Sequence, residues 1–122
     1  MNTALPPEIE EILRQIREFI PTLSAAAGEV TTLLQQGDVA QGMRGLGELV
    51  NGLKELQRVL EFLCSSFSVE LSGLESSRVQ IEAVYPSLLT AVEDADPVAI
   101  SDVLSYELVP ALESCQGGLQ RG

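Results

Sequence analysis

A chain of 122 residues with 45% apolar side chains is long enough to bury a core and too apolar to stay disordered. Its 18 acidic residues against 7 basic ones give a formal net charge of −11, which argues against nucleic acid and anionic bilayers, since both are bound through Lys and Arg. Trp is absent and aromatics make up 4%, so the core falls to Leu, Ile, Val and Ala; the absence of His removes the usual general base and the commonest transition-metal ligand.

Placed at about 100° per residue, Ile9, Ile12, Leu13, Ile16, Phe19, Ile20, Leu23, Ala27, Val30 and Leu34 share one stripe. The stripe keeps its phase through Pro21. That proline falls on the polar side, where the carbonyl of Arg17, deprived of its donor, can be hydrated. One kinked helix over residues 7–36 is therefore predicted, about 45 Å long. Pro7 suits its first position, and Glu8, Glu10 and Glu11 complement the dipole there.

Gly37-Asp38 reads as a stop followed by a start. Gly37 suits a left-handed C-cap, and Asp38 with Gln41 resembles a capping box. The next helix, 39–64, carries Leu46, Leu49, Val50, Leu53, Leu56, Leu60 and Leu63 on a seam of alternating three- and four-residue steps. Each of its glycines weakens it by up to about 1 kcal/mol relative to Ala. Gly45 and Gly52, seven apart beside the stripe, imply a helix packed closely against them.

After a break over residues 65–71, Ser72-Gly-Leu-Glu75 has the capping-box pattern. The third helix, 73–94, is expected to bury Leu74, Ile81, Val84, Tyr85, Leu88, Leu89 and Val92. Asp96 as N-cap and Pro97 at the first position open the fourth, 97–116, with Ile100, Leu104, Leu108, Ala111, Leu112 and Cys115 inward. The fold class is all-α: an antiparallel up-down four-helix bundle forming a single domain over residues 1–122. A fourth helix of about 30 Å leaves part of the first uncovered, which favours self-association as a homodimer through the first helix.

No run reaches the roughly 18 to 20 apolar residues of a membrane span, and the N-terminus lacks the pattern of a signal peptide. No membrane insertion and a cytoplasmic location are expected. Cys64 and Cys115 are too few for a disulfide framework or a zinc site. They should share one pole, diagonally placed, as free thiols.

The chemistry sought includes no metal, cofactor or catalytic constellation. Di-iron bundles need E-x-x-H pairs, and this chain has no His. Glu10/Glu11 and Glu93/Asp94 lie at helix ends on polar faces. Gly42-Met-Arg-Gly45-Leu-Gly47 follows no strand and lacks the Lys-Ser/Thr of a phosphate loop. A non-enzymatic protein-binding module is the expected function, with a self-associating structural or regulatory protein as the alternative.

Two partner surfaces are candidates. Asp102, Tyr106, Val109 and Glu113 form a ridge opposite the buried stripe of the fourth helix, which either recognises a partner or is a Tyr lying flat over Val109. Phe67, Val69 and Leu71 either form a second surface or cap the core.

The last 40 or so residues resemble a group of small uncharacterised bacterial proteins. The resemblance rests on an acidic turn followed by D-x-L-x-Y-E-L-x-P-x-L, here Asp102, Leu104, Tyr106, Glu107, Leu108, Pro110 and Leu112. The hairpin from Leu33 through Gly37-Asp38 to Leu63 is similar more loosely, and departs in its Gly-rich second helix and missing Trp. The resemblance implies a helical, bacterial, non-enzymatic module. The architecture is similar to that of small helical export chaperones such as those of flagellar systems.

Overall fold

The computed structural model describes residues 5–67 and 71–121. Its elements are α1 (Pro7–Gln35), α2 (Val39–Ser66), α3 (Gly73–Glu93), α4 (Pro97–Val103), a π-helical turn (Leu104–Leu108) and α5 (Val109–Arg121). The last three run on as one rod, because backbone dihedrals at Leu104 and Val109 stay helical. No strand occurs among the described residues. α1 packs on α2 and on the fourth rod, and α3 packs on the same two, while the diagonal pairs scarcely meet. This is the up-down four-helix bundle implied by the stripes.

The core is aliphatic and continuous, with Leu60, Leu63, Ile81, Leu104, Leu108 and Leu112 wholly inaccessible. The stripe of α1 is buried from Ile9 to Leu34, and no large exposed apolar residue lies on α1. Of that stripe Ile12 and Phe19 stay partly open, on a groove of about 260 Å³ that they share with Val59 of α2. The fourth rod runs to Arg121, roughly 37 Å, and covers a partner of roughly 43 Å.

α1 runs unbroken through exposed Pro21. The carbonyl of Arg17 is not left to water: Gln116 of α5 donates its Nε2 to it at 3.1 Å. A backbone defect in the first helix is thus closed by a side chain 99 residues later.

The other irregularity lies before Pro110, which has no N–H for the carbonyl of Tyr106. The turn widens there, and Val109 N–H donates to Leu104 O, five residues back. The apolar spacing asks for this. Ile100, Leu104, Leu108 and Leu112 recur every four residues, which in an ideal helix drifts by about 40° per step. A wider turn takes up part of that drift and keeps all four inside.

Both short connections are built alike. Gly37 has φ 86° and Ala95 has φ 51°, each followed by an N-capping Asp. Asp38 accepts from Gln41 N at 3.2 Å; Asp96 accepts from Val98 N at 3.1 Å and Ala99 N at 3.2 Å. Ser72 differs from expectation: it makes no side-chain cap. Its dihedrals (−59°, −27°) are already helical, and Glu75 turns to Arg78 at 2.6 Å. The close neighbour required by the glycines of α2 is α1. A Cβ on Gly52 would come 2.7 Å from Leu23 Cδ2, and one on Gly42 2.6 Å from Leu34 Cδ2.

Candidate functional site

The fourth rod presents Asp102, Tyr106 and Glu113 outward. Tyr106, at the centre of the π-helical turn, is 76% exposed and the most accessible large apolar residue described. Val109 is not part of this ridge; the altered register turns it inward, half-buried against the core. Of the second candidate group, Leu71 is buried in the core and Phe67 is half-buried. Phe67 meets the exposed ring of Phe62 edge-on, with centroids 6.4 Å apart at 77°. Val69 lies outside the described residues. The ridge is thus reduced to a single aromatic among carboxylates, and the loop group to the end of the core.

A more complete surface lies where the periodicity placed buried residues. Leu89 is 58% exposed, while Tyr85 and Val92 are only partly covered. They form the α3 wall of a trough whose α2 wall is Met43, Leu46 and Val50. The α2–α3 seam is the least closely packed of the four. Over Tyr85 and Leu89 the trough encloses about 170 Å³ lined only by apolar side chains and the tyrosine ring, and it continues toward Met43 and Val92 as a wider, shallower depression. Its deeper part is smaller than the roughly 300–1,000 Å³ of small-molecule sites and lacks their converging polar groups. It has the size for one or two side chains of a larger partner.

The sequence carries one sign of this. Leu88 and Leu89 are adjacent, hence about 100° apart on a helix, and cannot both face one core. Leu88 takes the inside and Leu89 the seam.

Electrostatics give the trough polarity along its length. The Tyr85 phenol is held above its ordinary pKa by burial and by the nearby carboxylates of Glu61 and Glu82. Its Oη is buried without a hydrogen-bond partner. Glu82 shares Arg78 with Glu75, at 3.2 and 2.6 Å; Glu61 has no ion pair among the described residues. Between Arg78 and Arg121 the chain carries Glu82, Glu93, Asp94, Asp96, Asp102, Glu107 and Glu113 and not one Lys or Arg. Apart from Glu82, paired with Arg78, none of these acids has an ion pair among the described residues.

Both cysteines are free thiols. Burial pushes Cys115 up to about 11, with a smaller contribution from nearby Cys64, which places the two at one pole. Among the described residues no group of three His, Cys, Asp or Glu side chains is placed to hold a metal ion. No described helix is long and apolar enough to cross a membrane.

Comparison with known proteins gives kinship without an activity. The family described as a domain of unknown function, DUF8042, matches residues 11–117, so the chain belongs to that family. An uncharacterized protein of Treponema pallidum (strain Nichols) is 23% identical over 124 residues, covering 98% of this chain and 62% of that protein. The chain thus spans about three-fifths of the length of this bacterial relative. No solved structure matches.

Proposed function

We propose that this member of the DUF8042 family is a non-enzymatic helical module that binds a segment of a partner protein, as an adaptor or an export chaperone does. The observation that carries the reading is the trough between α2 and α3, an apolar row centred on Leu89, which is 58% exposed, along the least closely packed seam of the bundle. Burial of such a row stabilises a complex by roughly 25 cal/mol per Å² of apolar surface removed from water, before the cost of association. The similarity of the C-terminal pattern to small bacterial helical proteins, and of the architecture to export chaperones, supports the same reading. Two reduced thiols suit a cytoplasmic setting.

Capture from extract of the source bacterium tests this, comparing wild type with Leu89→Glu and Tyr106→Ala. Both side chains are largely exposed, so both variants should melt within a few degrees of wild type. Leu89→Glu should lose the captured protein, and Tyr106→Ala should keep it. The reverse result would move the site to the Tyr106 face, which its exposure on the π-helical turn makes the second reading. Retention by both variants would refute a partner site on either surface.

A further inference from the structure

Resting on the trough as the docking site, we propose that its occupant is a basic amphipathic helix of another protein. Two to three turns of it lie along the α2–α3 seam, with a Lys or Arg at the Glu61–Glu82 end.

The spacing of the walls selects a helix. Met43, Leu46 and Val50 stand at i, i+3 and i+7, and Tyr85, Leu89 and Val92 at i, i+4 and i+7. Each wall therefore offers one apolar side chain per turn over about 10 Å of rise. A helix laid between them answers with its own i, i+3/i+4, i+7 residues, the usual pattern of helix-in-groove recognition. An extended peptide needs a sheet edge to complete its backbone hydrogen bonds, and the described residues contain none.

Charge selects the sign. The α2 wall is balanced, since Arg44 and Lys54 offset Glu48 and Glu61 along it. The α3 wall carries no cation beyond Arg78, which Glu75 and Glu82 already occupy, and the carboxylates of Glu61 and Glu82 are near enough to Tyr85, at one end of the trough, to raise its pKa. A second copy of the chain brings the same −11 and is repelled. A cation beside Glu61 gains a carboxylate that has no ion pair among the described residues.

The test is a methyl NMR titration of the full chain with a synthetic amphipathic peptide of about 18 residues, long enough for the required turns. It carries Leu at i, i+4, i+7 and i+11 and Lys on its flanks; a twin carries Glu in place of every Lys. The Lys peptide should shift the methyls of Leu46, Val50, Leu89 and Val92 and bind at least tenfold more tightly than its twin. Glu61→Gln should weaken it severalfold, and Leu89→Glu should abolish it. If the twins shift the same methyls equally well, the charge selection is wrong and the groove stands. If neither peptide shifts them, the groove itself is refuted and the proposal falls with it. A Lys peptide indifferent to Leu89→Glu is held by general acidity, and a dimer of the free protein dispersed by Leu89→Glu makes the occupant a second copy. Either result overturns the proposal.

Discussion

The contact between Gln116 and the carbonyl of Arg17 can be measured, because its reason for existing can be removed separately. Pro21 leaves that carbonyl without the N–H that residue 21 would supply, and Gln116 Nε2 fills the vacancy at 3.1 Å. A neutral hydrogen bond to a partly buried group contributes about 1 kcal/mol net, and stranding its acceptor costs about 1–3 kcal/mol. Gln116→Ala should therefore destabilise the protein by about 1–2 kcal/mol, or roughly 4 °C per kcal/mol for a chain of this size. In a Pro21→Ala background the new N–H satisfies Arg17 within α1, and the same substitution should cost less than about 0.5 kcal/mol. Urea denaturation followed by circular dichroism, on all four members of the cycle, gives a coupling energy of about 1 kcal/mol if this is right. Equal costs in the two backgrounds, within about 0.4 kcal/mol, would show that Gln116 acts through packing and owes nothing to the proline.

The two short connections and the buried thiol give further tests. Ala95 sits at φ 51°, a conformation costing an L-residue roughly 1 kcal/mol, so Ala95→Gly should raise stability by about that amount. Gly37→Ala, at φ 86°, should lower it similarly; thermal melts showing no difference in either direction would mean these dihedrals carry no strain. Cys115 is protonated in the fold and raised from 9.0 to about 11, whereas in the unfolded chain it ionises near its ordinary value. Its contribution is thus complete below pH 9 and is lost as pH rises through 11, by about 3 kcal/mol in all. Denaturation in reductant at successive pH values should show a slope that Cys115→Ala reduces, leaving the part of the same sign that belongs to Cys64 and Tyr85. An unchanged slope in the variant would contradict the buried-thiol account.

The features legible in the sequence are those set by one helix at a time. The stripes of α1 and α2, the Asp38 and Asp96 caps and the glycine turn at residue 37 each depend on residues within a turn or two of one another. What escaped depends on competition between neighbouring side chains and on departures from a regular helical turn. Ser72 and Glu75 have the right spacing for a capping box, but Arg78, one turn on, competes for the glutamate and wins with two carboxylates in reach. Val109 has the phase of an outward residue in a regular helix, and a single wide turn set by Pro110 and by the four-residue core spacing brings it in. Tyr106 precedes the point at which the register has fully shifted and stays exposed.

The seam between α2 and α3 is the least closely packed of the four, and the contacts at the other three show why. α1 meets α2 at Gly42 and Gly52, where the missing Cβ lets Leu34 and Leu23 approach the backbone. α1 is tied to the fourth rod by Gln116. α3 meets the rod near Gly118, whose would-be Cβ lies 3.7 Å from Gly73 O and Leu74 Cδ2. At the fourth seam the α2 glycine lining the trough, Gly47, faces open space, and the facing residues include the long side chains of Met43 and Tyr85. Small residues draw helices together and large ones hold them apart. In a chain that places Gly on one flank of α2 and Met and Val on the other, the second flank remains accessible. An apolar wall kept open in this way, beside a helix whose remaining charges are all negative, has the surface chemistry of a receptor for a cationic helix.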